Sequence, residues 1–261
     1  MMSALEIFSE MLYNKNNFFK RGKTERQECM LDLVSQNMGG AMLVVEIFIC
    51  LVIILVEIPL HECAHGWVAK ALGDPTPEES GRLSLNPFIH LDIMGTLAVV
   101  LFGFGWGKPM PVNPHRCSKV KPRVASALIS LSGPLANLII AYLAMIIEKL
   151  IYYSNIEVLM LGNPCAEMYL YYAAVQVVNV SIYLAVFNLL PIPPFDGSRF
   201  FLAFLPTKLF IKIMKRERVI MIVIMLLFLF GIFSIPMNFL SEWISKGLFY
   251  ATGYVEFFMG I

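Results

Sequence analysis

Apolar residues fill long windows of this chain, and the polar interruptions between them set out its elements. From about Ala41 to Leu72 the run is long enough for one helix, closed by Gly73 and barred from continuing by Pro75. At 1.5 Å per residue such a helix is roughly 48 Å long against roughly 30 Å of bilayer hydrocarbon, so it is expected to tilt or protrude. Pro59 removes a backbone donor in its last third, which predicts a kink. Asp74 to His90 reads as a polar loop. Ile93 to Phe102 is apolar but too short to span, and Gly103, Gly105 and Gly107 follow, so this stretch is expected to dip in and return. The prolines of Lys108-Pro109-Met110-Pro111-Val112-Asn113-Pro114 exclude helix and predict an extended segment. Val124 to Ile147, Met168 to Leu190 and Val219 to Ile235 each read as a spanning helix. In the second, Gln176, Asn179 and Tyr183 form a polar stripe expected to face the bundle interior.

Composition settles the class. Of 261 residues, 58% are hydrophobic and 15% charged, with mean hydropathy +0.70, which is far more apolar than a soluble domain. The expected fold is an all-α polytopic membrane protein of about four to six membrane helices, with a short re-entrant or extended element between the first and second core spans. Residues 1–38 read as a polar N-terminal extension without the continuous apolar core of a cleavable signal, 39–240 as the membrane domain, and 241–261 as a C-terminal interfacial or membrane helix. Net charge is +1 and the basic residues sit in a few short loops, so no nucleic-acid partner is expected. Five scattered cysteines with no C-x-x-C pattern indicate neither a disulfide framework nor a cysteine zinc knuckle, and Cys63 reads as a small apolar residue.

The chemistry centres on His61-Glu62-Cys63-Ala64-His65, the pattern H-E-x-x-H. On a helix, residues four apart share a face, so both imidazoles can reach one zinc ion while Glu62 stands beside its open position. Only Glu46 and Glu57 carry charge between Ala41 and Leu60, which places the motif at bilayer depth, where ionisable groups are costly and by default functional. A catalytic zinc takes three protein ligands as a rule. A third histidine in the H-x-x-G-x-x-H spacing is excluded, because the positions hold Val68 and Ala71. Asp74 lies nine residues past His65, roughly 13 Å along a continuing helix, and Glu78 and Glu79 could fold back only with strain. Asp196 is better placed, since it follows a span that ends in prolines and can turn inward, although Asp-Gly is also a common turn signal.

Four blocks in order resemble the site-2 protease family of zinc intramembrane metalloproteases, in its compact bacterial branch. They are the H-E-x-x-H block, Gly81-Arg82-Leu83-Ser84-Leu85-Asn86-Pro87 with His90, Ser132-Gly133-Pro134-Leu135-Ala136-Asn137, and Asn188 through Gly197. The resemblance implies one zinc per chain held by His61, His65 and Asp196, Glu62 as general base, and Asn137 as oxyanion stabiliser or substrate-binding group. It implies hydrolysis of peptide bonds within or near transmembrane segments of membrane-protein substrates. The competing class is a metal-binding membrane transporter or a non-catalytic scaffold, and Glu62 discriminates, because transport needs ligands but no positioned base. Glu57 reads as a partner for an imidazole N–H or as a snorkelling carboxylate, and His90 as a supporting or loop residue. The Lys/Arg counts of loops 108–123 (five) and 191–218 (six), against none in 151–166, place the metal end in the cytoplasm of a multi-pass protein of the cell membrane, expected to be a bacterial plasma membrane.

Overall fold

A computed structural model describes residues 40–102, 106–155, 166–216, 219–220, 223–224, 227 and 232–259. The expectations for the extension 1–38, and most of those for the span 219–235, fall outside these residues. Among the described residues the regular elements are all helical, joined by one isolated antiparallel bridge between Leu91 and Gly107. The helices are α1 (Gly40–Val52), α2 (Ile58–Ala71), α3 (Thr76–Glu79), α4 (Ile93–Phe102), α5 (Pro122–Ser154), α6 (Ala166–Asn188), α7 (Asp196–Leu202), α8 (Thr207–Met214), α9 (Ser234–Ala251) and α10 (Tyr254–Phe258). Three stretches among them are long and apolar enough to cross a membrane: Ile47–Ala71, Pro122–Ser154 and Tyr169–Asn188.

The first stretch is continuous from α1 into α2 through a π-helical turn, Ile53–Glu57, in which the N–H of Ile58 reaches back to the carbonyl of Ile53. Pro59 supplies the cause. Having no N–H, it cannot bond the carbonyl of Leu55, and the helix widens just before it. The expected kink takes this form, and it turns Glu57 fully into the interior. The far end of α2 closes in a Schellman arrangement: Gly73 N–H bonds Lys70 O at 3.0 Å and Asp74 N–H bonds Ala69 O at 3.0 Å. Gly73 sits at φ +99°, a conformation that favours glycine.

Helix directions follow from the contacts. His61 meets Asn137 while His65 meets Ile129, so α2 and α5 are antiparallel. Tyr152 of α5 packs on Tyr171 of α6, with Ala141 and Met145 sharing a core with Val178 and Ile182, so α5 and α6 are antiparallel too. Therefore α2 and α6 run the same way, with α5 between them. Alanines on α5 let α6 approach closely, and Met237 of α9 completes that core. The opposite face of α5 exposes Leu135, Ile139, Leu143 and Ile147 at four-residue spacing, a stripe suited to lipid.

Between Leu91 and Gly107 the chain runs out along α4 and comes back, because the bridge and the Lys108 N–H to His90 O bond (2.7 Å) hold the two ends together. The segment returns and does not cross, as its length predicts. The polar stripe on α6 departs from expectation: Gln176 and Asn179 are half-buried, and the fully buried positions are Val178, Ser181, Ile182 and Ala185. A single inward hydroxyl serves that face, and Gln176 is satisfied along its own helix by the Tyr172 hydroxyl (2.6 Å). Past α6 the chain doubles back so tightly that a Cβ on Gly197 would collide with the Leu189 carbonyl. Glycine there lets α7 start against the end of α6, which carries Asp196 inward.

Candidate metal centre

One turn of α2 sets His61 and His65 edge to face, with ring centroids 4.7 Å apart. Their Nε2 atoms are 3.2 Å apart, and Asp196 Oδ2 lies 3.0 Å from the first and 3.2 Å from the second. The protons on these rings are fixed from behind. His65 Nδ1 is 2.7 Å from the carbonyl oxygen of Ile129, which can only accept, so Nδ1 carries the hydrogen and Nε2 presents a lone pair. His61 Nδ1 faces Asn137 Oδ1 at 3.0 Å, which imposes the same tautomer. Two lone pairs and a carboxylate oxygen thus converge, all within 4.8 Å of one another. Such a cluster repels itself unless a cation sits at its centre. Two imidazoles and one carboxylate are the donor set of an open zinc site.

Gly133 makes this packing possible. A Cβ there would lie 2.6 Å from His61 Cε1 and 2.6 Å from both Cε1 and Nε2 of His65. The glycine of the Ser132–Asn137 block is therefore the floor on which both rings rest. Ser132 supports the same arrangement, donating to the Ile129 carbonyl at 2.6 Å.

Glu62 lines the same cavity of about 200 Å³ as His61, His65 and Asp196. Its Oε2 accepts the N–H of Met110 at 2.6 Å, so the extended segment after the re-entrant loop lies across the site as a strap. Further bonds pin that strap and the chain beside it. Lys108 N–H goes to His90 O, Arg82 donates to Lys108 O at 2.8 Å, Asn113 N–H goes to Asp74 at 2.6 Å, and Arg116 ties Glu79 and Thr76 beside it. Asp74 is fully buried just beyond α2. Burial alone would raise its carboxyl, but the Thr76 hydroxyl, the N–H groups of Asn113 and Thr76, and nearby Arg116 outweigh burial and hold it below its ordinary value.

The other expected residues are placed as follows. Asn137 stands behind His61, 1% exposed, and does not line the cavity. Glu57 makes its contact with the hydroxyl of Ser181 on α6, not with an imidazole N–H. Its partner lies 124 residues away, and no local spacing pointed to it. His90 is fully buried, with Nε2 on the Ser84 carbonyl at 2.8 Å, and Cys63 Sγ shares that carbonyl at 3.0 Å. Cys63 thus does more than fill space: it helps fasten the Gly81–Pro87 loop to α2. Met110 and Arg199, which both line the cavity, were not singled out by sequence reasoning, and Asp74, weighed there as a metal ligand and set aside, instead holds the strap. The Met110 contact is made through a backbone N–H, which leaves no mark on residue type.

Comparison with known proteins gives three findings and one negative. Residues 48–232 match the family described as Peptidase family M50. The chain is 37% identical over 175 residues to YwhC of Bacillus subtilis (strain 168), named as a zinc metalloprotease, covering 67% of this chain and 77% of that one. It is 29% identical over 150 residues to Rip2 of Mycolicibacterium smegmatis, also named as a zinc metalloprotease, covering 55% of this chain and about half (52%) of that one. No solved structure matches the chain.

Proposed function

Because the chain belongs to peptidase family M50 and is a zinc metalloprotease, we propose that it is an intramembrane endopeptidase that cuts membrane proteins within or near their transmembrane segments. One observation carries this reading: the convergence of His61, His65 and Asp196, with Glu62 in the same cavity, where the motif is carried by a helix long and apolar enough to span a bilayer. We assign zinc binding to those three side chains and the general-base role to Glu62. Zinc there supplies a Lewis acid for the peptide carbonyl and makes water a nucleophile near neutral pH. Glu62 takes the proton of the attacking water and passes it to the leaving amine as the C–N bond breaks. With Oε2 held by Met110 N–H, Oε1 is the atom aimed at that proton. Asn137 is assigned to holding the His61 ring and its tautomer.

A peptide bond inside a helix is shielded, so the substrate must unwind. We assign the strap 108–113 to holding the unwound strand by backbone pairing. Residues 39–240 form the protease domain in this reading, with 241–261 at the membrane interface. The metal end faces the cytoplasm of the cell membrane, because the basic loops lie at that end.

The test is Glu62→Gln, which keeps all three proposed ligands and removes the base. Cleavage of a single-span membrane substrate should fall about 10²- to 10⁴-fold while zinc stays at one per chain. Equal cleavage by both forms refutes the base assignment. Zinc flux through the parent without any cleavage would favour the transporter reading.

A further inference from the structure

The tetrahedral oxyanion formed when water attacks a peptide carbonyl needs a hydrogen-bond donor, and the position of Asn137 behind His61 leaves that part open. The donors on the cavity wall differ in what they have left to give. Ser130 gives its hydroxyl hydrogen to the Ala127 carbonyl at 3.1 Å. Asn188 Nδ2 donates one of its two hydrogens to Leu184 O at 3.0 Å, and the Met110 N–H is engaged by Glu62, which leaves the neutral N–H groups of Asn188 and Val112. A charged donor binds an oxyanion more strongly than a neutral one, and among the lining residues Arg199 is the one guanidinium. It lines the cavity, it follows Asp196 by three residues and so rises from the same face of α7, and its guanidinium makes no hydrogen bond or ion pair among the described residues. An exposed arginine normally sits in bulk water, but this one lines a cavity that Glu62 and Asp196 also line. A planar cation with five N–H donors matches an anionic oxygen at a carbonyl carbon.

We propose that Arg199 is a catalytic residue, the donor that binds the oxyanion of the scissile carbonyl. This rests on the peptidase reading above. As the water oxygen bonds to the carbonyl carbon, the C=O π pair moves onto oxygen and is held by Arg199. When it returns, the C–N bond breaks and the amine leaves with the proton carried by Glu62.

The probe is a phosphonamidate peptide of apolar, transmembrane-like sequence, whose tetrahedral anionic phosphorus copies the oxyanion, titrated onto the zinc-loaded full chain. Arg199→Gln should weaken the phosphonamidate about 10²- to 10³-fold and lower kcat/KM in parallel, and Arg199→Lys should recover part of both. Zinc should stay at one per chain, and uncut substrate should be retained equally on the Glu62→Gln background with or without Arg199→Gln. Phosphonamidate affinity within about twofold of the parent overturns the proposal, as does loss of zinc in both variants, which would make Arg199 a support for Asp196. If the parent cleaves nothing, the peptidase reading fails, while the phosphonamidate titration still decides Arg199.

Discussion

At the residue scale, the smallest side chain carries the sharpest prediction. Gly133→Ala places a methyl group against the imidazoles of His61 and His65, and the blocked atoms are ring atoms on a rigid helix that cannot yield easily. The variant should fold, because the rest of the α5 packing is untouched, yet lose most bound zinc by metal analysis. Retention of one zinc per chain would show that the rings have room to move. Asn137→Ala tests a different link. If it holds the His61 tautomer, zinc affinity should weaken about 10- to 100-fold, and saturating zinc should restore most of the activity. A rate loss that persists at full zinc occupancy would return Asn137 to the oxyanion role. His61, Glu62 and His65 were legible in the sequence because a metal-binding pair with a base beside it takes those residue types at that spacing, and Asp196 because it was the carboxylate that a turn could bring inward. Gly133 was legible only as one letter of a block, since its reason lies on another helix.

At the scale of elements, the π-helical turn and the strap decide where the chemistry points. The kink was predictable from Pro59, but its form was not, because a widened turn and a bend both answer the same missing N–H. The Asp74 clasp was invisible for a related cause: beside its local partner Thr76, the group it fastens is the N–H of Asn113, 39 residues away. Removing that carboxylate in Asp74→Ala should free the strap. Losing charged hydrogen bonds from a buried site costs on the order of 3 kcal/mol, equivalent to roughly 10²-fold in an opening equilibrium. Amide exchange at Met110 and Asn113 should therefore speed up by about that factor, and unchanged exchange would show that the bonds to His90, Arg82 and Glu62 hold the strap without Asp74. Acidification should act in the same direction. A carboxyl held below its ordinary value stabilises the fold above the unfolded value of about 4, and that contribution is lost as pH falls through the lower folded value. The strap should thus remain fastened at neutral pH and loosen only in strong acid.

For the whole molecule, parallel α2 and α6 with α5 antiparallel between them is the arrangement that lets Asp196 meet the histidines. It was legible in the sequence because ligands of one ion must share one depth. Sidedness is tested by single cysteines labelled in intact cells: position 119 should be shielded and position 158 reactive from outside, and the reverse pattern would invert the molecule. The strap has a further consequence for a protein crowded among copies of itself. In an extended chain, alternate residues turn their backbone groups to opposite sides. On the side of residues 109, 111 and 113, two N–H groups are missing because the residues are proline, and the third is bound to Asp74. That flank offers a passing strand no donor from 109 to 113, so neighbouring copies cannot zip together along it, and a polypeptide that docks by backbone pairing must come from the side that faces Glu62.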